Sequence, residues 1–171
     1  MKGYLQVYTG DGKGKTTAAI GLAVRAAGAG LRVLFAQFVK GSRYSEIEAL
    51  ARYADHITIC QYGRGCFIEH TPTPEDVEVA KKGLVDLRDK LRSGAYQVVI
   101  LDEANIAMHF GLFTVNELLT VIRERCEDCE VVVTGRNAPP ELVEAADLVT
   151  EMKEIKHYYT NGVAARDGIE R

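Results

Sequence analysis

The chain has 171 residues, of which 47% are hydrophobic and 26% are charged, and its formal net charge is −3. This length and composition predict one domain, spanning 1–171, with a proper hydrophobic core. A slightly acidic chain without a basic block gives no support to nucleic-acid binding, and no apolar stretch reaches the roughly 18 residues of a membrane span. Because a predicted strand begins almost at the first residue, we expect no signal peptide and a cytoplasmic protein.

The N-terminal segment has the pattern of a phosphate-binding loop. Alternating apolar residues at 3–8 predict a strand, and an alanine-rich stretch at 16–27 predicts a buried helix. A glycine-rich turn joins them, with the sequence Gly10-Asp11-Gly12-Lys13-Gly14-Lys15-Thr16-Thr17. The order of strand, glycine-rich turn and helix predicts a P-loop, in which backbone N–H groups and the positive end of the helix bind a nucleoside triphosphate.

Single residues of this segment have distinct predicted roles. Lys15 adds a positive charge to the phosphate site, and the hydroxyl of Thr16 is a candidate Mg²⁺ ligand. Lys13 is placed near phosphate because the sequence suggests few other neighbours for it. Thr9 stands where the common pattern begins with glycine. Arg25 is the single charge of the predicted helix, and it either reaches back toward the phosphates or marks the exposed edge of that helix.

Strand-like and helix-like segments alternate along the rest of the chain. Strands are predicted at 32–38, 57–61, 97–101, 130–133 and 147–152, and helices at 44–54, 73–92 and 114–125, with a short helix ending near 145. This alternation indicates an α/β fold of the P-loop NTPase type, a mostly parallel sheet of about six strands with helices on both faces. The segments 62–73 and 153–171 resist assignment. Because long irregular segments often act as lids or clamps, we expect the tail 153–171 to pack over the rim of the active site.

Two acidic residues, Asp102 and Glu103, follow the apolar strand at 97–101. In P-loop proteins an acid at the carboxyl end of a strand that neighbours the P-loop strand holds Mg²⁺, and ligands bind beyond the carboxyl ends of such sheets. The alternative is a solvated helix start, which acids also favour. The P-loop upstream favours the metal site, and which acid contacts the metal stays open.

Arg136 follows the next predicted strand, in the sequence Thr134-Gly135-Arg136, and therefore belongs to the same edge of the sheet. Its planar guanidinium either clamps phosphate oxygens or pairs with a surface carboxylate, and its position alone favours neither. Cys126 and Cys129 have the spacing of half a zinc site, but the second half is missing, so we interpret them as reduced thiols.

Several of these motifs occur together in one family. Besides the Gly10–Thr17 turn, they are Arg25-Ala26-Ala27-Gly28, Gln37-Phe38-Val39-Lys40-Gly41, Leu101-Asp102-Glu103, Thr134-Gly135-Arg136, Lys156-His157 and Gly168-Ile169-Glu170. From residue 4 to residue 170 the chain resembles the P-loop class of corrinoid adenosyltransferases, the ATP:cob(I)alamin enzymes of cobalamin synthesis and salvage. The P-loop is common to many proteins, whereas its combination with the Gln-Phe-Lys-Gly and Lys-His motifs is specific.

The resemblance implies that the cobalt of a reduced corrinoid attacks the 5′ carbon of ATP and expels triphosphate. ATP then lies in the reverse sense, with its γ-phosphate where a P-loop usually holds the α-phosphate. The amides of 10–15, the ammonium of Lys15 and a Mg²⁺ ion on Thr16 and Glu103 would stabilise the charge on the leaving triphosphate. Lys15, Thr16 and Glu103 are therefore the expected catalytic residues.

The resemblance also implies features beyond the nucleotide site. In the segment 65–69, Cys66, Phe67 and Ile68 would pack against the lower face of the corrinoid and make Co(II) reducible. Many members carry a tryptophan there, and this chain has none. The family further suggests an electron-donating flavoprotein reductase and a homodimer.

Two other functions stay open from the residues themselves. A small kinase or ATPase on the same P-loop would transfer a phosphoryl group and yield ADP. A non-catalytic module that binds ATP or a corrinoid would bind without turnover, and the missing tryptophan favours this possibility.

Overall fold

The computed structural model describes residues 2–39, 45–64 and 71–170. Within them the chain forms an open parallel sheet with six strands, β1 (Leu5–Thr9), β2 (Val33–Gln37), β3 (Ile57–Gln61), β4 (Val98–Asp102), β5 (Glu130–Thr134) and β6 (Leu148–Glu151). All adjacent strands are parallel, and their spatial order is β3-β2-β4-β5-β1-β6. The predicted α/β fold and the six predicted strands are confirmed.

Helices cover both faces of the sheet. They are α1 (Lys15–Gly28), α2 (Ser45–Ala51), α3 (Pro74–Arg92), α4 (Ala104–His109), α5 (Val115–Arg123) and α6 (Pro140–Ala145), followed by a 3₁₀ helix at Tyr158–Asn161. One core cluster unites α1 and α2 with one face of the central strands, and a larger cluster lies under α3, α4, α5 and α6. None of the helices in the described ranges is both long and apolar enough to cross a membrane.

Burial of the strands explains their sequence patterns. Every residue of β2 and of β4 is buried, and four of the five residues of β5 are. Interior strands of a parallel sheet are covered on both faces, and they therefore read as continuous apolar runs. The edge strand β6 is exposed at each position. The fully buried polar residues of β2, β4 and β5 are Gln37, Asp102 and Thr134, and each stands at the carboxyl end of its strand, where the sheet meets the cleft described below.

Local capping signals set the starts of two helices. Thr73 accepts from the Asp76 backbone N–H while the Asp76 carboxylate accepts from the N–H of Thr73, and Thr114 and Glu117 form the same reciprocal box. In contrast, α4 was not predicted. It has six residues, begins directly after β4, and has no side-chain cap at Glu103. Its start therefore carries no capping signal that the sequence could reveal.

The strand order corrects one expectation. Asp102 ends β4. The predicted metal site assumes that this strand lies beside the P-loop strand β1, but β5 lies between β4 and β1. The carboxylate of Asp102 still meets the P-loop because α1 leaves β1 and packs on β5, β4 and β2. The first turn of α1, not adjacency of the strands, therefore brings the P-loop to the acidic residues.

Candidate active site

A cleft of about 820 Å³ lies at the carboxyl ends of the strands. The P-loop and the first turns of α1 form one side, and α2, α4, the turn after β5 and the tail form the others. The lining residues are Gly12, Lys13, Gly14, Lys15, Thr16, Thr17, Ile20, Ser45, Glu46, Ala49, Glu103, Ile106, His109, Phe110, Arg136, Asn137, His157, Gly168, Ile169 and Glu170. Most of the predicted nucleotide-site residues therefore meet around one space.

The glycines of the P-loop allow it to lie directly on the chain that follows β6. Gly10 has φ 93°, and a Cβ atom there would be 2.4 Å from the carbonyl oxygen of Met152. Gly12 donates its backbone N–H to the same oxygen at 2.7 Å, and a Cβ on Gly12 would be 2.8 Å from the Lys153 carbonyl oxygen. The N–H of Gly12 is thus engaged with Met152 in this structure, which differs from the expectation that every amide of the turn faces phosphate.

Lys15 lies against the loop that carries it. The residue is only 9% exposed, and its Nζ donates to the carbonyl oxygens of Gly10 at 2.6 Å and Gly12 at 2.7 Å. Burial lowers the pKa of Lys15, and the nearby charge of Arg136 lowers it further, while Glu103 and Asp11 act in the opposite direction. An anion entering the cleft would favour the charged ammonium and replace its contacts with neutral carbonyls.

Asp102 is fully buried and is enclosed by hydrogen-bond donors. Its Oδ1 accepts from the hydroxyl of Thr16 at 2.9 Å and from that of Thr134 at 2.7 Å. Its Oδ2 accepts from Nε2 of Gln37 at 3.1 Å. Glu103, by contrast, lines the cleft, while its backbone N–H donates to the Thr134 hydroxyl at 3.2 Å. The two acids, which the sequence leaves equivalent, therefore occupy different environments.

The turn after β5 brings Arg136 to the cleft and packs tightly on α4. Arg136 is exposed, and its charge acts on Lys15. Gly135 has φ 130°, and a Cβ atom there would be 3.0 Å from Cβ of Asn105 and 3.3 Å from Oε2 of Glu103. Asn105 also donates from Nδ2 to the Gly135 carbonyl oxygen at 2.8 Å. Glycine at 135 therefore lets Glu103 and Arg136 approach the same part of the cleft.

Lys13 has partners that its sequence context does not reveal. Its Nζ donates to the Ile169 carbonyl oxygen at 2.7 Å, to the Glu170 carboxylate at 3.0 Å and to the Tyr158 hydroxyl at 3.4 Å. Arg166 also pairs with Glu170, and the hydrogen bonds of Arg166, Tyr158 and Lys13 hold the pKa of Glu170 well below its usual range. The reason for placing Lys13 near phosphate, a lack of other neighbours, is wrong, and the phosphate contact itself stays a prediction.

Arg25 lies away from the cleft. It is exposed in the last turn of α1, about 15 Å along the helix axis from Lys15 at 1.5 Å per residue, and it is not among the cleft residues. This is the second of its two expected positions, the exposed edge of the helix. Cys66, Phe67 and Ile68 lie outside the described residues, as do Lys40 and Gly41.

One wall of the cleft was missed by sequence reasoning. It comes from α4, through Ile106, His109 and Phe110. The rings of His109 and Phe110 are neighbours, with centroids 5.7 Å apart. The spacing of Ile106 and Phe110, four residues apart, is the helical signal that was available in the sequence.

Comparison with known proteins gives consistent matches along the whole chain. The model of the family described as ATP:corrinoid adenosyltransferase BtuR/CobO/CobP matches residues 1–171. The chain is 36% identical to the corrinoid adenosyltransferase of Pseudomonas aeruginosa over 99% of this chain and 84% of that protein. It is 32% identical to the corrinoid adenosyltransferase of Escherichia coli K12, over 99% of this chain and 86% of that protein.

A solved structure is similar in fold alone. The flagellar accessory protein FlaH from Methanocaldococcus jannaschii superposes with a TM-score of 0.58 at 12% sequence identity, covering 88% of this chain and 71% of that one. This similarity agrees with the P-loop type of α/β fold, and at this identity it carries no statement about function.

Proposed function

The chain belongs to the ATP:corrinoid adenosyltransferase family, and we propose that the cleft at the carboxyl ends of the strands is the site at which it binds ATP. The protein is a transferase of the cobalamin pathway whose substrates are ATP and a corrinoid. The comparisons favour neither a phosphoryl-transferring kinase or ATPase nor a non-catalytic binding module.

The main support for an ATP site in this cleft is that Lys15 and Arg136 both line it. Lys15 is buried, its pKa is lowered, and Arg136 lies close enough to contribute to that shift. Cations from two different elements that face one cleft favour a highly charged anion, and triphosphate has this character. The start of α1 adds the positive end of a helix beside Thr16.

The chemistry of the transfer explains why cations matter more than a base. The cobalt of the reduced corrinoid supplies an electron pair to the 5′ carbon of ATP, the cobalt–carbon bond forms, and the carbon–oxygen bond breaks. The electrons of that bond leave with triphosphate, so negative charge gathers on the leaving group. Lys15 and Arg136 would stabilise this charge in the transition state more than in bound ATP. No proton is removed, and no general base is required.

The residues at the rim of the cleft fit a Mg²⁺ ion. The hydroxyl proton of Thr16 is committed to Asp102, so its lone pairs remain available to a cation. Glu103 supplies a carboxylate that lines the same cleft. Mg²⁺ typically takes one or two protein oxygens and completes its shell with phosphate and water. Mg²⁺ bound there would neutralise charge on the triphosphate, with Thr16 and Glu103 as its protein ligands and Asp102 holding Thr16 from behind.

The finer assignments to corrinoid binding and assembly follow from the family resemblance. We propose that Phe67, with Cys66 and Ile68, packs against the lower face of the corrinoid. We also propose that a flavoprotein reductase supplies electrons, that the protein is a cytoplasmic homodimer, and that the exposed Leu148 and Val149 of the edge strand β6 belong to the dimer contact. Phe67→Ala should slow the reaction that starts from Co(II) more than the reaction that starts from Co(I), and equal effects would contradict the lower-face role.

The experiment that tests the function uses the purified chain with Mg-ATP and a chemically reduced corrinoid. The expected products are an adenosylated corrinoid, seen in its visible spectrum, and inorganic triphosphate in equal amount. Lys15→Ala is the control for the site and should form neither product. ADP and phosphate as the sole products would reject adenosyl transfer.

A further inference from the structure

A row of polar side chains crosses the sheet at the carboxyl-terminal residue of four adjacent strands. These residues are Gln61 of β3, Gln37 of β2, Asp102 of β4 and Thr134 of β5. Gln37 is the direct register partner of Gln61 on one side and of Asp102 on the other. Gln37, Asp102 and Thr134 are completely buried, so these three residues lie inside the protein, beneath the cleft, and Gln61 is half-buried at the end of the row.

The row is linked by hydrogen bonds that end on the P-loop helix. Nε2 of Gln61 donates to Oε1 of Gln37 at 3.1 Å, and Nε2 of Gln37 donates to Oδ2 of Asp102 at 3.1 Å. Asp102 in turn accepts from the hydroxyl of Thr16. The contact from Gln61 fixes the orientation of the Gln37 amide, because the oxygen end faces Gln61 and the nitrogen end faces Asp102.

We propose that Gln37, supported by Gln61, is a positioning residue that keeps the Asp102 carboxylate oriented toward Thr16 and thereby prepares Thr16 to receive the metal of Mg-ATP. This inference rests on the proposed nucleotide site. Each oxygen of Asp102 has its own donors, two hydroxyls on Oδ1 and one amide on Oδ2. Without the amide, Oδ2 would be buried and unpaired, and the carboxylate would turn to divide the two hydroxyls between its oxygens.

Rotation of that carboxylate would change Thr16 directly. The proton of the Thr16 hydroxyl is directed at Oδ1, and this leaves the lone pairs of the hydroxyl oxygen to a cation. If Oδ1 moves, the hydroxyl follows it and the lone pairs lose their fixed direction. Loss of this orientation should therefore weaken only the binding of ATP with Mg²⁺. The backbone amides and Lys15 would bind phosphate without help from Asp102.

The chain offers a matched control glutamine in β1. Nε2 of Gln6 donates to the carboxylate of Glu130, and Oε1 of Gln6 accepts from the hydroxyl of Tyr8 at 2.7 Å. Like Gln37, Gln6 thus donates to a carboxylate on a neighbouring strand and accepts one hydrogen bond, although its donor Tyr8 lies in the same strand. It is not part of the cleft lining, so its removal tests the general cost of losing such a bond.

The test measures the dissociation constant of ATP by calorimetry, once with Mg²⁺ and once with EDTA, and takes their ratio as the gain from Mg²⁺. In Gln37→Leu this gain should fall about tenfold, and in Gln61→Leu about threefold, in proportion to the hydrogen bonds lost. Gln6→Leu should leave the gain unchanged. The affinity for ATP in EDTA should stay within about twofold in all three variants, because the loss is confined to the metal.

Gln37→Met provides a second test if Gln37→Leu does not fold. Methionine keeps nearly the length of the glutamine side chain but has no N–H to donate to Oδ2 of Asp102. The gain from Mg²⁺ should fall about tenfold in this variant as well. A purely structural role for Gln37 would lower stability and leave the gain from Mg²⁺ unchanged.

The outcomes separate the inference from the function on which it rests. An unchanged gain from Mg²⁺ in a folded Gln37→Leu variant, or an equal loss in Gln6→Leu, would overturn the positioning role and leave adenosyl transfer standing. If the unmodified protein binds ATP equally well in Mg²⁺ and in EDTA, the metal site fails, and the inference fails with it. If the same preparation still forms the adenosylated corrinoid, only the metal site is lost and adenosyl transfer stands. If it forms none, the proposed function fails as well.

Discussion

Two carboxylates at the cleft, Asp102 and Glu170, are held in opposite ways. Asp102 is fully buried and accepts from uncharged donors on other elements of the sheet and from Thr16. Glu170 lies in the tail, its side chain is 16% exposed, and its partners include the cations Lys13 and Arg166. A buried carboxylate depends on every donor around it, whereas an ion pair whose cation is exposed contributes little to the fold. The floor of the cleft is therefore part of the core, and the tail contact is separable from it.

The same contrast divides the two lysines of the P-loop. Lys15 is buried and turned toward the loop carbonyls, while Lys13 is 41% exposed and turned toward the tail. Lys15→Ala should weaken ATP binding by roughly 100-fold or more, because the phosphates would lose a buried charge-assisted contact. Titration calorimetry with ATP measures this change.

Lys13→Ala is the matched control for that prediction. Because its ammonium is already shared with the tail, the loss of ATP affinity should be about tenfold or less. Equal losses of ATP affinity in the two variants would show that Lys13 and Lys15 contribute equally to binding. Normal ATP affinity in Lys15→Ala would contradict the proposal that the P-loop binds the triphosphate.

Removal of Asp102 should have the next largest effect. Asp102→Ala leaves Thr16, Thr134 and Gln37 without their acceptor, and it should lower the free energy of unfolding by about 3 kcal/mol, since unpaired buried polar groups cost about 1–3 kcal/mol each. Urea unfolding followed by circular dichroism measures this. Glu170→Ala is the comparison variant and should unfold at nearly the urea concentration of the unmodified protein. If Glu170→Ala lowered the free energy of unfolding more than Asp102→Ala, the view that Asp102 belongs to the core and the tail contact is separable from it would be wrong.

Loosening of the tail is a smaller and more local effect. Glu170→Gln keeps the size of the side chain but removes the charge that pairs with Lys13 and Arg166. Hydrogen exchange of the peptide covering 153–170 should become about threefold faster, as expected for a surface ion-pair network. Peptides from β4 and β5 should exchange as before. Faster exchange in those strands would mean that the tail contributes to the core.

Salt should produce the smallest of these changes. At 1 M NaCl the screening length falls to about 3 Å, so exchange of the tail should rise by about twofold in the unmodified protein. The hydrogen bonds of Asp102 are buried and should not respond. Glu170→Gln should show little further change in the tail, because the charge that salt screens is already absent. If salt speeded hydrogen exchange in β4 and not in the tail, the contrast between a buried Asp102 and a charge-paired Glu170 would be wrong.

Much of the fold was open to prediction from local patterns. The continuous apolar runs at 98–101 and 131–133 correspond to β4 and β5, and the Thr73 and Thr114 capping signals correspond to the starts of α3 and α5. These signals lie within a few residues of the structure that they specify. The start of α4 has no such signal, and for this reason the wall formed by Ile106, His109 and Phe110 was missed.

The sequence predicted which residues line the candidate site better than it predicted the contacts that they make. Lys15, Thr16, Glu103 and Arg136 do line one cleft. Arg25 does not, because a helix carries residues near its end far from residues at its start. The partners of Lys13 could not be foreseen, since they lie in the tail, more than a hundred residues away along the chain. Contacts at such separation leave no pattern in a single sequence.

The sequence by itself determined the alternation of strands and helices, the P-loop and the family, because each is written in short runs of residues with a fixed local geometry. The tertiary structure decided that β5 separates β4 from β1, that Asp102 is buried while Glu103 faces the cleft, and that Gln37 joins the row beneath it. These features depend on which strands lie side by side. That order follows from the packing of the whole core, and no segment specifies it alone.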